Sequence, residues 1–198
     1  DCYRAGGTMC YADTPQGQNR EHAIFGASRC VAVTPSDTAC ALVALDASMV
    51  IARQGGERVL PAADFFVAPD VDIRRMTALR PGEILTEVRL PQAWAGAEFF
   101  FEKVADRQVW DFALLSIAAA FRVNDGRIAE SRLVLGAAAC VPWRLRAVEK
   151  ALAGRARDAA SGDAVATLET GDARVLNANG FKLPLMENLI RRAVRGGA

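Results

Sequence analysis

The four residues Asn124-Asp125-Gly126-Arg127 constrain this chain more than any others. They follow Phe112 to Val123, an alanine-rich apolar run that propensity alone would make helical. Asp-Gly between two apolar runs is, however, a strong short-range hairpin signal. The reading is therefore a strand from about Ser116 to Val123, a tight turn, and a strand from about Ile128 to Ala137. Phe99-Phe100-Phe101-Glu102-Lys103-Val104 adds a further strand just before it. Beyond the hairpin, Trp143 to Leu152 reads as a helix after Pro142, closed by Gly154. Arg155 to Thr170 reads as partly helical, and Asn179 to Arg195 as a last helix ending at Gly196-Gly197. Strands followed by helices give an α+β class.

The first half is built differently. Cys2 to Arg20 is rich in Gly, Asp, Thr, Pro, Gln and Asn without periodicity and reads as an irregular loop. Its Arg4-Ala5-Gly6-Gly7-Thr8 has the composition of a phosphate-cradling turn but lacks the preceding strand and following helix that such a turn needs. Val31-Ala32-Val33 reads as a short strand. A helix then begins, with Thr34 as N-cap, Pro35 at the first helical position and Asp37 where a capping-box acceptor can reach back. Ala39, Leu42, Val43 and Ala47 form its apolar stripe. Ser36 and Asp37 either simply cap this helix or meet a polar ligand at its start.

Ser48 to Ala52 and Glu57 to Leu60 read as strands about Gly55-Gly56, and Ala62 to Phe66 as a short apolar turn. From Glu83 to Pro91 the sequence alternates, with Ile84, Thr86, Val88 and Leu90 on one face and Leu85, Glu87 and Arg89 on the other. Leu85 is the odd member of the polar face. It either packs under a loop or supports a flat apolar ligand. Gln92 to Ala97 is a natural domain boundary. Lys103 shares a face with Phe99 and Phe101, so its amine either snorkels along apolar surface or anchors a cofactor.

Composition narrows the function. With 52% hydrophobic residues over 198 and a net charge of +1, the chain can bury a core, and it lacks the basic footprint of a nucleic-acid binder. No apolar run approaches the roughly 20 residues of a membrane span. The opening Asp1-Cys2-Tyr3-Arg4 is neither a signal nor a transit peptide, and the absence of an initial Met suggests a piece of something longer. Of five cysteines, Cys40 and Cys140 lie in apolar runs, whereas Cys2, Cys10 and Cys30 sit among polar residues without zinc-finger spacing. Free thiols in a loop are one reading of these three. His22, the single histidine, has no acid or nucleophile partner nearby and reads as structural.

The order HAIFG, a cysteine, TPSDTACALVALDA, GERVLPAADFF, RPGEILTEVRLP, FFFEKVADR, GAAACVPWR and a terminal FK segment resembles the FAD-binding medium subunit of molybdenum hydroxylases, the xanthine dehydrogenase and carbon monoxide dehydrogenase family. The resemblance covers almost the whole chain. It implies the second subdomain of a two-subdomain FAD-binding fold over 31–92. A C-terminal domain of a small antiparallel sheet and helices follows over 98–198, and residues 1–30 form an inserted, cysteine-containing loop. The family's AGGT and GGN pyrophosphate loops belong to the part upstream of this sequence. Cofactor-binding residues implied by position are Thr34, Ser36 and Asp37 at the P-S-D helix start, Leu85 of GEIL beside the isoalloxazine, and Lys103 of the K-x-x-x-R segment near the flavin.

Some members hold a four-iron cluster in the inserted loop, for which Cys2, Cys10 and Cys30 are the available thiolates here, with a fourth ligand from upstream. The implied function is electron transfer. Substrate is hydroxylated at a molybdenum cofactor on a large subunit, electrons pass through 2Fe–2S clusters on a small subunit, and FAD on this subunit delivers them to an acceptor. No catalytic residue is assigned, and the expected location is cytoplasmic, with export as the passenger of a complex as the alternative. The competing readings are a docking module of the same complex without flavin, and a flavin reductase acting alone.

Overall fold

The computed structural model describes residues 1–196. Twelve elements follow in chain order: α1 (Asp37–Ala44), β1 (Ser48–Arg53), β2 (Gly56–Pro61), α2 (Ala62–Phe65), β3 (Ile84–Arg89), β4 (Glu98–Val104), β5 (Leu115–Asn124), β6 (Arg127–Gly136), β7 (Trp143–Arg144), α3 (Arg146–Leu152), α4 (Ala159–Val165) and α5 (Lys182–Arg195). They build a three-stranded sheet in the order β2-β1-β3 and a four-stranded sheet in the order β4-β5-β6-β7, with every strand pair antiparallel. The α+β class read from the sequence is the class observed.

The hairpin forms where the Asp-Gly dipeptide places it. Asp125 and Gly126 both take positive φ, 50° and 74°, the geometry that matches the twist of the flanking strands. Asn124 pairs with Arg127 at its mouth.

The larger sheet is the middle layer of three. On one side, Leu115, Ile117, Ala119 and Phe121 of β5 and Leu133 and Leu135 of β6 meet α3, α4 and α5, together with Ile24 and Phe25 from the N-terminal segment. On the other side, Ala118 and Val134 meet Cys40, Val43 and Ala44 of α1, then Met49, Ile51 and Phe65. A strand buried on both faces reads as a continuous apolar run without alternation, which is why β5 looks helical in sequence. The face towards α1 uses small residues, so the helix lies close. Ser116 Oγ is 3.8 Å from Cys40 Sγ, and a Cβ added at Gly136 would lie 2.3 Å from Ser116 Oγ.

Local readings shift in five places. Val31 to Val33 joins no ladder; Ala23 N–H donates to the Val31 carbonyl and Thr34 N–H to the Ala139 carbonyl, so its partners are irregular segments. The helix N-cap is Ser36, whose Oγ accepts from Ala39 N–H at 3.2 Å, two residues later than Thr34. Trp143 and Arg144 belong to β7, and the helix waits until Arg146 because Leu145 N–H still donates to the Leu133 carbonyl at 2.9 Å. The last helix starts at Lys182, since the Asn179 side chain accepts from Leu176 N–H at 2.6 Å and closes a turn there. The faces of β3 are inverted: Ile84, Val88 and Leu90 are exposed, and Leu85 is the residue that packs inward.

The N-terminal segment has little regular structure but firm attachments. Lys182, 0% exposed, donates from Nζ to the carbonyls of Glu21, His22 and Ala137 at 2.8, 2.9 and 2.8 Å. Asn179 Nδ2 donates to the His22 and Ala23 carbonyls, and Ala178 N–H donates to Asn19 Oδ1. His22 thus serves the fold through its backbone, in keeping with the structural reading.

Candidate functional site

The side chains that the sequence separates most widely meet where α1 begins and β4 ends. α1 presents Asp37 in its first turn, where a carboxylate is favoured by the helix dipole. Lys103 lies near the end of β4, one residue before Val104, whose carbonyl accepts from Leu114 N–H and closes the loop 105–113. Lys103 Nζ donates to Asp37 Oδ2 at 2.6 Å and to the Asp111 carbonyl at 2.7 Å. Two of its three N–H bonds are therefore directed, and one is left. Its side chain is 26% exposed, so the pair sits at a surface and not in a core.

The loop that receives Lys103 is organised by Asp111. Its Oδ2 accepts from Arg107 N–H at 2.9 Å and its Oδ1 from Phe112 N–H at 3.0 Å. The Arg107 guanidinium donates to the Trp110 carbonyl. Trp110 takes a left-handed conformation with φ 56°, a strained choice for a large side chain, and is 92% exposed. Val109 and Phe112 beside it, and Phe99 and Phe101 on β4, are exposed as well. A cleft of about 320 Å³ is lined by Lys103, Ala105, Asp106, Arg107 and Gln108. Arg20 reaches across to hold Asp106 through two bonds of 2.6 and 2.8 Å, and Asp106 is accordingly held below the usual carboxylate range.

Of the residues singled out in the sequence, Ser36, Asp37 and Lys103 come together here. Ser36 Oγ caps α1 and shares a 3.0 Å hydrogen bond with Thr38 Oγ1. Thr34 is not presented with them: it is buried, and its Oγ1 donates to the Cys140 carbonyl at 2.6 Å. Leu85 faces β1 and pairs with Ile51, packing into the core beneath α1. Sequence reading missed Asp111, Asp106 and Arg20. The one available signal was the D-R and W-D dipeptides flanking the turn after β4, and nothing in them names Lys103 or Arg20 as partners.

The three loop cysteines are not gathered. Cys2 forms a bridge with Met9, next to Cys10, whereas Cys30 is buried and its Sγ accepts from Arg4 Nε at 2.9 Å. The Cys140 thiol, then the Ala32 N–H and Arg4, hold the Cys30 thiol well below its usual range, and Cys140 is pushed up in turn. Among the described residues no three His, Cys, Asp or Glu side chains stand in a metal-holding arrangement. The donor set of the cluster reading is therefore not assembled as the chain lies.

The Lys103 site does suit one part of a flavin. An isoalloxazine is flat and apolar with polar edge atoms, and here a lysine with an undirected N–H opens on a cleft beside exposed aromatic residues.

Comparison with known proteins gives the family. The family described as the FAD binding domain in molybdopterin dehydrogenase matches residues 13–93, and the CO dehydrogenase flavoprotein C-terminal domain matches residues 100–196. The aldehyde oxidoreductase FAD-binding subunit PaoB of Escherichia coli (strain K12) is 39% identical over 139 residues, 69% of this chain and 42% of that protein. The glyceraldehyde dehydrogenase medium chain of Sulfolobus acidocaldarius is 31% identical over 120 residues, 61% of this chain and 40% of that one. In three dimensions, quinoline 2-oxidoreductase from Pseudomonas putida 86 superposes with a TM-score of 0.68 at 25% identity, covering 90% of this chain and 58% of that chain. The chain thus spans about half the length of the curated relatives it matches. It belongs to the FAD-binding medium-subunit family of the molybdenum hydroxylases.

Proposed function

We propose that this chain is the part of an electron-transfer flavoprotein subunit that receives the isoalloxazine edge of FAD. In this reading a large subunit oxidises substrate at a molybdenum cofactor, and a small subunit carries electrons through 2Fe–2S clusters. FAD held by this subunit would serve as the relay to an acceptor in the cytoplasm. When bound, FAD supplies the exchange between one-electron carriers and a two-electron acceptor. The chain's own residues bind and orient. The free N–H of Lys103 is offered to a polar edge atom of the ring, Ser36 and Asp37 shape the helix start beside it, and loop 105–112 supplies apolar cover. Residues 31–92 act as the FAD-binding part, 98–198 as the C-terminal domain, and 1–30 as the inserted loop. This chain itself is assigned no cluster, because Cys2, Cys10 and Cys30 do not form a ligand set among the described residues.

The observation that carries the reading is the Lys103–Asp37 contact at 2.6 Å, which joins the two matched domains beside a cleft lined by Lys103, Ala105, Asp106, Arg107 and Gln108. The test is the full-length subunit purified with its partner subunits. Flavin absorbance, FAD released on denaturation, and co-purification with a molybdenum-containing large subunit are expected. A full-length subunit that is colourless and refuses added FAD overturns the proposal, and turnover by the subunit alone overturns the assembly.

A further inference from the structure

The two matched domains meet again at a cavity of about 520 Å³ that none of Ser36, Asp37 and Lys103 lines. Val43 of α1 and Ala63 of α2 close it from the first domain, and Pro142, Trp143, Arg146 and Glu169 from the second. Trp143 is held by stacking on Phe25, 5.1 Å between ring centroids and 6° from parallel. Apolar walls with a few polar groups among them are the make-up of a small-molecule site. The polar groups here are only partly used. Glu169 is 7% exposed; its Oε1 accepts from Ala147 N–H at 2.9 Å and caps the start of α3, but its second oxygen has no hydrogen bond among the described residues. A buried carboxylate ordinarily has a cation beside it. Arg144, on the same wall, is not that cation, because its Nε and Nη2 are committed to Glu149. Arg146 lines the cavity without an ion pair or hydrogen bond among the described residues, and Trp143 Nε1 is buried there without an acceptor. The lining thus offers an anion that lacks a cation, and two donors that lack acceptors. The charges left over, Arg146 and Glu169, cancel, so their complement is a neutral molecule that carries both signs.

We infer that this cavity is a binding site for a free α-amino acid with an apolar side chain. The ammonium of the ligand pairs with Glu169, its carboxylate takes the Arg146 guanidinium and the Trp143 N–H, and its side chain lies against Val43, Ala63 and Pro142. The bound molecule touches both domains and ties them at a second place besides the Lys103–Asp37 contact. The site uses no residue of the flavin reading and stands or falls apart from it.

The experiment is isothermal titration calorimetry of L-phenylalanine into the full-length subunit purified with its partner subunits, with thermal unfolding followed in parallel. Saturable binding at one site per subunit and an upward shift of the melting temperature are expected. Glu169→Gln keeps an oxygen for Ala147 N–H but loses the charge, and should weaken binding about tenfold or more, the loss of one charge-assisted hydrogen bond. Arg146→Ala should do the same from the other end of the ligand. Phenethylamine and hydrocinnamate, each lacking one of the two charges, should both bind more weakly than phenylalanine by a similar factor. Ala63→Trp, at an exposed position of α2, fills the cavity from outside the core and should abolish binding; it carries the test if Glu169→Gln does not fold. Absence of saturable heat with phenylalanine overturns the inference, as does parent-strength binding by Glu169→Gln or by Ala63→Trp. Phenethylamine binding as tightly as phenylalanine overturns the assignment to an amino acid.

Discussion

Replacing Lys182 by methionine tests how the N-terminal segment is held. The parent side chain is fully buried, and burial, reinforced by the charge of Arg20 and opposed by Glu21, lowers its pKa from 10.5 to about 8. That displacement is worth about 3 kcal/mol of disfavour for the charged form. The unfolded chain keeps its proton up to about pH 10.5, whereas the folded chain releases it near pH 8. The parent is thus relieved of the penalty as pH rises through this window and carries it in full below.

Methionine removes the buried charge but also removes three donors. The His22 carbonyl keeps Asn179 Nδ2 as a partner, and Glu21 is exposed enough for water to replace the lost bond. The Ala137 carbonyl is buried and loses its donor, at a cost of about 1–3 kcal/mol. With the charge-assisted bonds to the other two carbonyls also gone, a net loss of about 2 kcal/mol is expected at pH 7. The gap should widen to about 4 kcal/mol near pH 10, because only the parent gains stability there. Urea denaturation of both proteins at pH 7, 8, 9 and 10 measures it. Other titrating groups cancel in the difference, so parallel stability profiles would refute this account of Lys182.

Other consequences are simpler to test. Glu83 is held near pKa 2 by the Arg58 guanidinium, so its contribution should be complete above about pH 4.5 and vanish as pH falls through 2; Glu83→Gln should flatten that limb of the acid-denaturation curve. Gly136→Ala puts a methyl group 2.3 Å from Ser116 Oγ beneath α1, and should cost about 1–3 kcal/mol in chemical denaturation, with Ser116→Gly/Gly136→Ala recovering much of it. Iron and acid-labile sulfide per full-length subunit decide how the loop thiols are used. The arrangement found here expects none bound through them, and four irons lost together in Cys2→Ser, Cys10→Ser and Cys30→Ser would overturn it.

Local rules read this chain well wherever a feature is made by neighbours in sequence. Asp125-Gly126 fixed its hairpin because two positive φ angles are a property of the dipeptide and the strands it joins. Rules failed where the partner is distant. Thr34 looks as good a cap as Ser36, but its hydroxyl is claimed by a carbonyl 106 residues away. Leu85 looks misplaced on a polar face because a strand with most side chains exposed does not follow the usual sign of its alternation. Asp37 and Lys103 were each legible as candidates from resemblance, yet their contact spans 66 residues and leaves no trace in spacing. Lys182 was invisible for another reason: its partners are carbonyls, which every residue carries.

The attachments of residues 19–34 have a consequence for dissecting the chain. Ile24 and Phe25 fill the core between the large sheet and its helices, and the Ala138 carbonyl accepts from both their N–H groups, while Arg174 N–H donates to the Ile24 carbonyl. The two matched domains are therefore not laid end to end but interleaved. A fragment starting at residue 98 would fold with an open slot lined by its own apolar side chains. The natural complement of that slot is a separate peptide spanning 19–34, which should bind it in trans as one half of a split protein.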